Sequence, residues 1–453
     1  MGQLTEIQLA GVRALLSAAP DSAVRSLEAT LASGSERHET MRMIQAMVAA
    51  ESVDRRARGA VFGPIAPLCG SARANLGGIV FPMRALSEVW AGLKTAGGRN
   101  VQLVLAAAQA RHPEPPPREV YDQLCADAAA GLRARSNPGF EAAAAALEQS
   151  MPGGAERFAA YLDVTPVART ALDRMPEWLG RLNEARSAAA RLAFKDATAV
   201  AEDAGPRLLE ILYAHLEEPW AILRLVSAVM HRPGDKYVAN SELAGFGERL
   251  LDDIDRRLEG VAALDSDGGR KAGLEAGAAV RAASMEIQEF DECVELSPTG
   301  PWGARLLRQK KALVQTVEGR LKAAEAEVAA ALPLQSAGGR RRGVRGQPRL
   351  TADPDMRHVE RARAFLTLLQ EVRPSAERLG FGALWTKTSE QVRGRLDTYI
   401  EDLLEKLRAN EQDTTGEDPE RVRVYLDLAA EFLGLVTDDR AAQIVRRRMA
   451  AAA

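Results

Sequence analysis

Apolar residues recur along this chain at steps of three and four, and no other feature limits its fold so strongly. Between Phe381 and Asn410, the positions Trp385, Thr388, Val392, Leu396, Tyr399, Leu403 and Leu407 draw one stripe along a helix of about eight turns. Val359, Ala362, Leu366 and Leu369 repeat the pattern, as do Leu243, Phe246, Leu250, Ile254, Leu258 and Val261. A stripe of this kind must be buried, and no period-2 segment of comparable length competes with it. Composition agrees: 82 residues are Ala, the best helix former, while aromatics make up 5%. Prolines such as Pro20, Pro82, Pro138, Pro176, Pro206, Pro219, Pro298 and Pro419 mostly fall where new helical patterns open, since a first-turn proline loses no hydrogen bond. The expected fold is all-α, a multi-helix bundle or helical-hairpin array of about 15 helices, elongated, with no significant β-sheet.

A chain of 453 residues exceeds the size at which a single core stops growing, about 250–300 residues. Two segments read as boundaries. His112–Pro117 (HPEPPP) forbids helix and favours an extended spacer. Residues 334–354 hold four Gly, two Pro and five Arg against one acid, Asp353. The reading is an N-terminal helical domain (1–111), a Pro-rich linker (112–117), a central helical domain (118–333), a Gly/Arg-rich linker (334–354) and a C-terminal helical domain (355–453). No repeat of tetratricopeptide or ankyrin period is present.

The net charge of -3 gives no chain-wide attraction to nucleic acid or anionic membrane. Charge does change sign locally. Val238–Glu295 carries 14 acidic and 6 basic residues, and Gly300–Ala352 carries 3 acidic and 11 basic. Two long helical patterns joined by the turn SPTGP would set Glu286, Glu289, Asp291, Glu292 and Glu295 near Arg305, Arg308, Lys310 and Lys311, either as an exposed ladder of weak pairs or as docking faces. The cluster Arg340, Arg341, Arg342, Arg345 and Arg349, interleaved with glycine, is the candidate polyanion-binding strip, although it lacks an aromatic residue to stack on a base.

Catalytic signatures are missing. The five His are scattered singly, and HExxH and CxxC do not occur. The Asp265, Asp267, Gly269 run departs from a calcium loop at Arg270 and Ala276. Lys387-Thr388 has Thr386 where a phosphate-binding loop needs Gly, and Gly245-Phe-Gly247 lacks its third glycine. Cys69, Cys125 and Cys293 are too few and too far apart for a disulfide framework, which favours a reducing cytoplasm. Two irregular segments stand out: the Gly/Pro-rich Val61–Met83, read as buried, close-packed backbone or alternatively a ligand or partner groove, and His231–Tyr237, read as a helix–helix turn or alternatively an anion site on Arg232 and Lys236. The expectation is a cytoplasmic, non-enzymatic scaffold or regulatory protein that binds other proteins or a second copy of itself, without cofactor, metal or transmembrane segment. The alternative is a nucleic-acid or anionic-surface binder acting through residues 340–349.

Overall fold

The computed structural model describes residues 6–32, 39–70, 78–110, 114–180, 183–335, 346–411 and 418–452. It is all-α and 81% helical, and the described residues form 20 α-helices and no strand. Pairing of extended backbone is limited to isolated bridges. The chain divides into two compact units, Met1–His231 and Arg232–Ala453.

The first unit contains α1 (Glu6–Ala18), α2 (Asp21–Ala32), α3 (Glu39–Phe62), α4 (Arg84–Ala96), α5 (Arg99–Gln109), α6 (Arg118–Ala134), α7 (Pro138–Ser150), α8 (Gly154–Trp178), α9 (Glu184–Val200), α10 (Ala204–His215) and α11 (Ile222–Met230). Local chemistry sets the starts. Asn137 accepts from the Gly139 and Phe140 N–H groups ahead of Pro138 to open α7, and Asn183 accepts from Arg186 N to open α9. The extensive contacts are α6 on α8 and α4 on α7. Their joint is the buried ring of Phe140, which lies against Gly92 of α4 and Gly131 of α6. A Cβ at Gly92 would stand 2.8 Å from Phe140 Cδ1, and one at Gly131 would enter the ring. Overpacking a joint of this kind predicts that Gly131→Ala lowers unfolding stability by about 1–3 kcal/mol. Urea titration measures this; an unchanged midpoint would contradict the packing described.

The second unit contains α12 (Asp235–Ala239), α13 (Ala244–Ala262), α14 (Gly269–Cys293), α15 (Pro301–Ala331), α16 (Met356–Glu371), α17 (Arg373–Ala376), α18 (Gly382–Glu411), α19 (Pro419–Val436) and α20 (Asp439–Ala451). The closest pairing is α14 with α16. It exists because Gly273 and Gly277 give α14 a face without side chains: a Cβ at Gly273 would sit 2.8 Å from Thr367 Cβ, and one at Gly277 would strike Glu371. The stripes read from the sequence face the interior. Thr388, Val392, Leu396, Tyr399, Leu403 and Leu407 of α18 are buried, as are the named residues of α16 and α13; Trp385 is half-buried.

Two features differ from expectation, the helix count and the place of one proline. There are 20 helices where about 15 were counted from stripe and proline spacing, because short helices such as α12 and α17 carry no stripe of their own. Pro176 lies inside α8 instead of opening a helix. The chain divides at His231/Arg232, where two consecutive non-glycine residues adopt left-handed backbone (φ 56° and 57°). Residues 112–117 and 334–354 both fall within a unit. Helices on either side of the Pro-rich segment pack together in the first unit, and α15 and α16 flank 334–354 while packing on each other.

Candidate functional site

Arg340, Arg341, Arg342 and Arg345 lie outside the described residues. Arg349 is exposed; its backbone N–H donates to Pro333 O (2.9 Å) and its Nε to Thr351 Oγ1 (3.2 Å). Gln335 N donates to Gln347 O (2.7 Å), so the stretches 333–335 and 347–349 are tied side by side at the base of this segment.

The Val61–Met83 segment, described except for 71–77, is core. Val61, Phe62, Ile65, Leu68, Cys69 and Phe81 are buried, and Phe81 meets Phe158 and Tyr161 edge-on at 4.9 and 5.5 Å. The cavity it lines measures about 20 Å³, room for one water and not for a ligand. In the second turn, Arg232 and Lys236 point to solvent while Asp235 is buried and accepts N–H groups from Trp302 (3.0 Å) and Gly303 (3.0 Å). Asp235 is thus a remote cap for the first turn of α15, a role set by the macrodipole of that helix.

The charge hairpin is only partly as expected. Lys310 Nζ meets both Asp291 oxygens at 2.8 and 2.6 Å across α14 and α15. Arg305 instead reaches α13, pairing with Glu248 (3.2 Å), Asp252 (2.5 Å) and Asp255 (2.6 Å). Glu286 and Glu289 are not an exposed ladder at all, being 0% and 1% exposed. Glu286 faces α13, where Arg257 Nε stands 3.4 Å from Oε1 and donates to Asp253 Oδ2 at 2.7 Å. Neither Glu286 oxygen has a hydrogen-bond partner. Burial pushes its carboxyl up to about 9, against the pull of Arg257 and with the help of Asp253. Wheel position was the missed signal: Glu286 lies among Ala283, Ile287 and Phe290 on a helix covered by both α13 and α16.

All three cysteines are free and buried, and desolvation raises the Cys69 and Cys125 thiols to about 12, far from a reactive thiolate. Among the described residues, no group of three or more His, Cys, Asp or Glu side chains is placed to hold a metal ion, and no helix is long and apolar enough to cross a membrane.

The least satisfied surface is on α1. Of Ile7–Ala18 only Gln8, Arg13 and Ser17 are polar. One side, through Leu16 with half-buried Val12, joins a small core of Val24, Leu31 and Val48. The other side holds Ile7 (85% exposed) and Leu15 (73% exposed), the two most exposed large apolar side chains described. At 100° per residue, Ala10, Ala14, Ile7, Ala18, Gly11 and Leu15 span an arc of about 140° with no charge in it. All six are exposed. A helix apolar nearly all round is normally buried all round, and this one leaves a whole side exposed. A helix of 13 residues repeats its apolar positions too few times for such a stripe to stand out in the sequence. No protein-family model matches this chain, no curated protein is similar to it, and no solved structure matches it.

Proposed function

We propose that the protein is a helical interaction module that assembles through the outer face of α1, and that the occupant of this face is a second copy of the same helix. The observation that carries the reading is the uncharged arc bounded by Ile7 and Leu15. Its pattern is its own complement. Two antiparallel copies centred on Gly11 set Ile7 of each beside Leu15 of the other, with Ala10, Gly11 and Ala14 leaving room between the backbones. Such an isologous pair is the commonest form of soluble assembly. The face carries no charge, so self-pairing brings no like charges together.

Burying four large side chains over a short helix supports, after the cost of association, a dissociation constant no tighter than roughly micromolar. Sedimentation equilibrium of the full chain across that range should show a monomer–dimer equilibrium. Ile7→Asp with Leu15→Asp should leave a monomer with unchanged far-ultraviolet circular dichroism. A wild type that stays monomeric, or a double variant that dimerises equally well, overturns the reading.

A further inference from the structure

A cleft between α14, α15 and the turn that follows α17 encloses about 370 Å³, within the size range of small-molecule sites, roughly 300–1,000 Å³. Ile287, Val314 and Leu379 give it apolar walls. Ser284 also lines it, 2% exposed, and its hydroxyl has no hydrogen-bond partner. Several helical hydroxyls return to the carbonyl one turn back, as Thr165 does to Tyr161 O (2.9 Å), Thr198 to Phe194 O (2.7 Å) and Thr398 to Gly394 O (2.9 Å), whereas Ser284, like Thr367 of α16, does not. Ser284 departs from that habit inside a cavity. A buried polar group left unmet is where a ligand gains most.

Two cations stand at the rim, and they differ. Lys310 is neutralised by Asp291. Arg378 donates Nη1 to Gln288 Oε1 (2.7 Å) and touches Met285 Sδ (3.1 Å), neither of which carries charge, and among the described residues no carboxylate pairs with it. Gln288 lies one helical turn after Ser284 on the same face of α14, so Ser284 and the guanidinium that Gln288 holds line the same side of the cleft. Asp291 on the same rim disfavours a dianion.

We propose that this cleft binds a small monocarboxylate with an apolar body, its carboxylate between Arg378 and Ser284 and its body along Ile287, Val314 and Leu379. This is a site separate from the α1 face, and its success or failure is read independently of assembly.

The test uses octanoate, octanol and acetate as probes on the full chain by isothermal titration calorimetry, below the concentration at which octanoate forms micelles. Octanoate should bind, with octanol and acetate each at least about tenfold weaker, because each keeps one half of the recognition and loses the other. Arg378→Gln, a change at an exposed residue that leaves folding intact, should weaken octanoate about tenfold or more, and Ser284→Ala should weaken it by a smaller factor. Absence of octanoate binding, octanol binding as tightly as octanoate, or wild-type affinity in both variants would each overturn the proposal.

Discussion

Trp302→Ala is expected to destabilise the second unit by about 4 kcal/mol, the range for removing a buried indole. Trp302 is 1% exposed, meets Phe290 edge-on at 5.6 Å and donates Nε1 to Glu248 Oε1 at 2.6 Å. Gly247 of α13 has no side chain because the indole occupies that space. The substitution opens a cavity at the meeting of α13, α14 and α15 and removes one partner of Glu248, which keeps Arg305 and water. Hydrogen exchange resolved by residue reads the result: amides of α13 and α15 should lose protection together. Loss confined to the first turn of α15 would show that Trp302 seals one helix end and does not join three helices.

Glu286→Gln is expected to act in the opposite direction, and only above a certain pH. Burial holds the folded carboxyl near 9, whereas its ordinary value is 4.5. A raised carboxyl favours the folded state fully below 4.5, and that favour is lost as pH climbs toward 9, because the unfolded chain releases a proton that the folded chain keeps. Glutamine resembles the protonated form at every pH. Wild type and variant should therefore be equally stable near pH 4.5 and diverge above it, with the variant ahead by about 3 kcal/mol at pH 7. The charged groups facing the site are Asp253, Arg256 and Arg257 of α13. Thermal unfolding at several pH values checks the sign. A variant less stable than wild type at pH 8 would mean that Glu286 is ionised and its pairing with Arg257 is what holds α13 to α14.

What could be read from the sequence depended on how each residue shows its environment. The α18 stripe from Thr388 to Leu407 was legible because a long helix with one buried face repeats its apolar residues visibly. Gly273 and Gly277 were not, since a glycine marks a close approach only when the opposing helix is known. Charged residues misled most. Glu286 and Asp253 sit on helices packed on more than one side, and a carboxylate there looks in the sequence like any solvated one. Asp235 gave no signal as the cap of α15, because it lies 66 residues before Pro301 and the cap is formed only by folding. The apolar outer face of α1 was present in the sequence all along. Only the structure shows which of its two apolar sides is used inside the unit.

The most direct test of assembly through α1 is a cross-link at its centre. Gly11 lies at the midpoint of the pairing of Ile7 with Leu15, and nothing stands within 4 Å of a Cβ placed there. The three native cysteines are buried and do not compete. Two copies of Gly11→Cys facing across a two-fold axis come within the Cα separation that a disulfide accepts, about 4.4–6.8 Å. Mild oxidation at micromolar concentration should convert Gly11→Cys to a covalent dimer, while Ala142→Cys, exposed on α7, stays monomeric. Equal cross-linking of the two variants, or none of Gly11→Cys, would contradict the account.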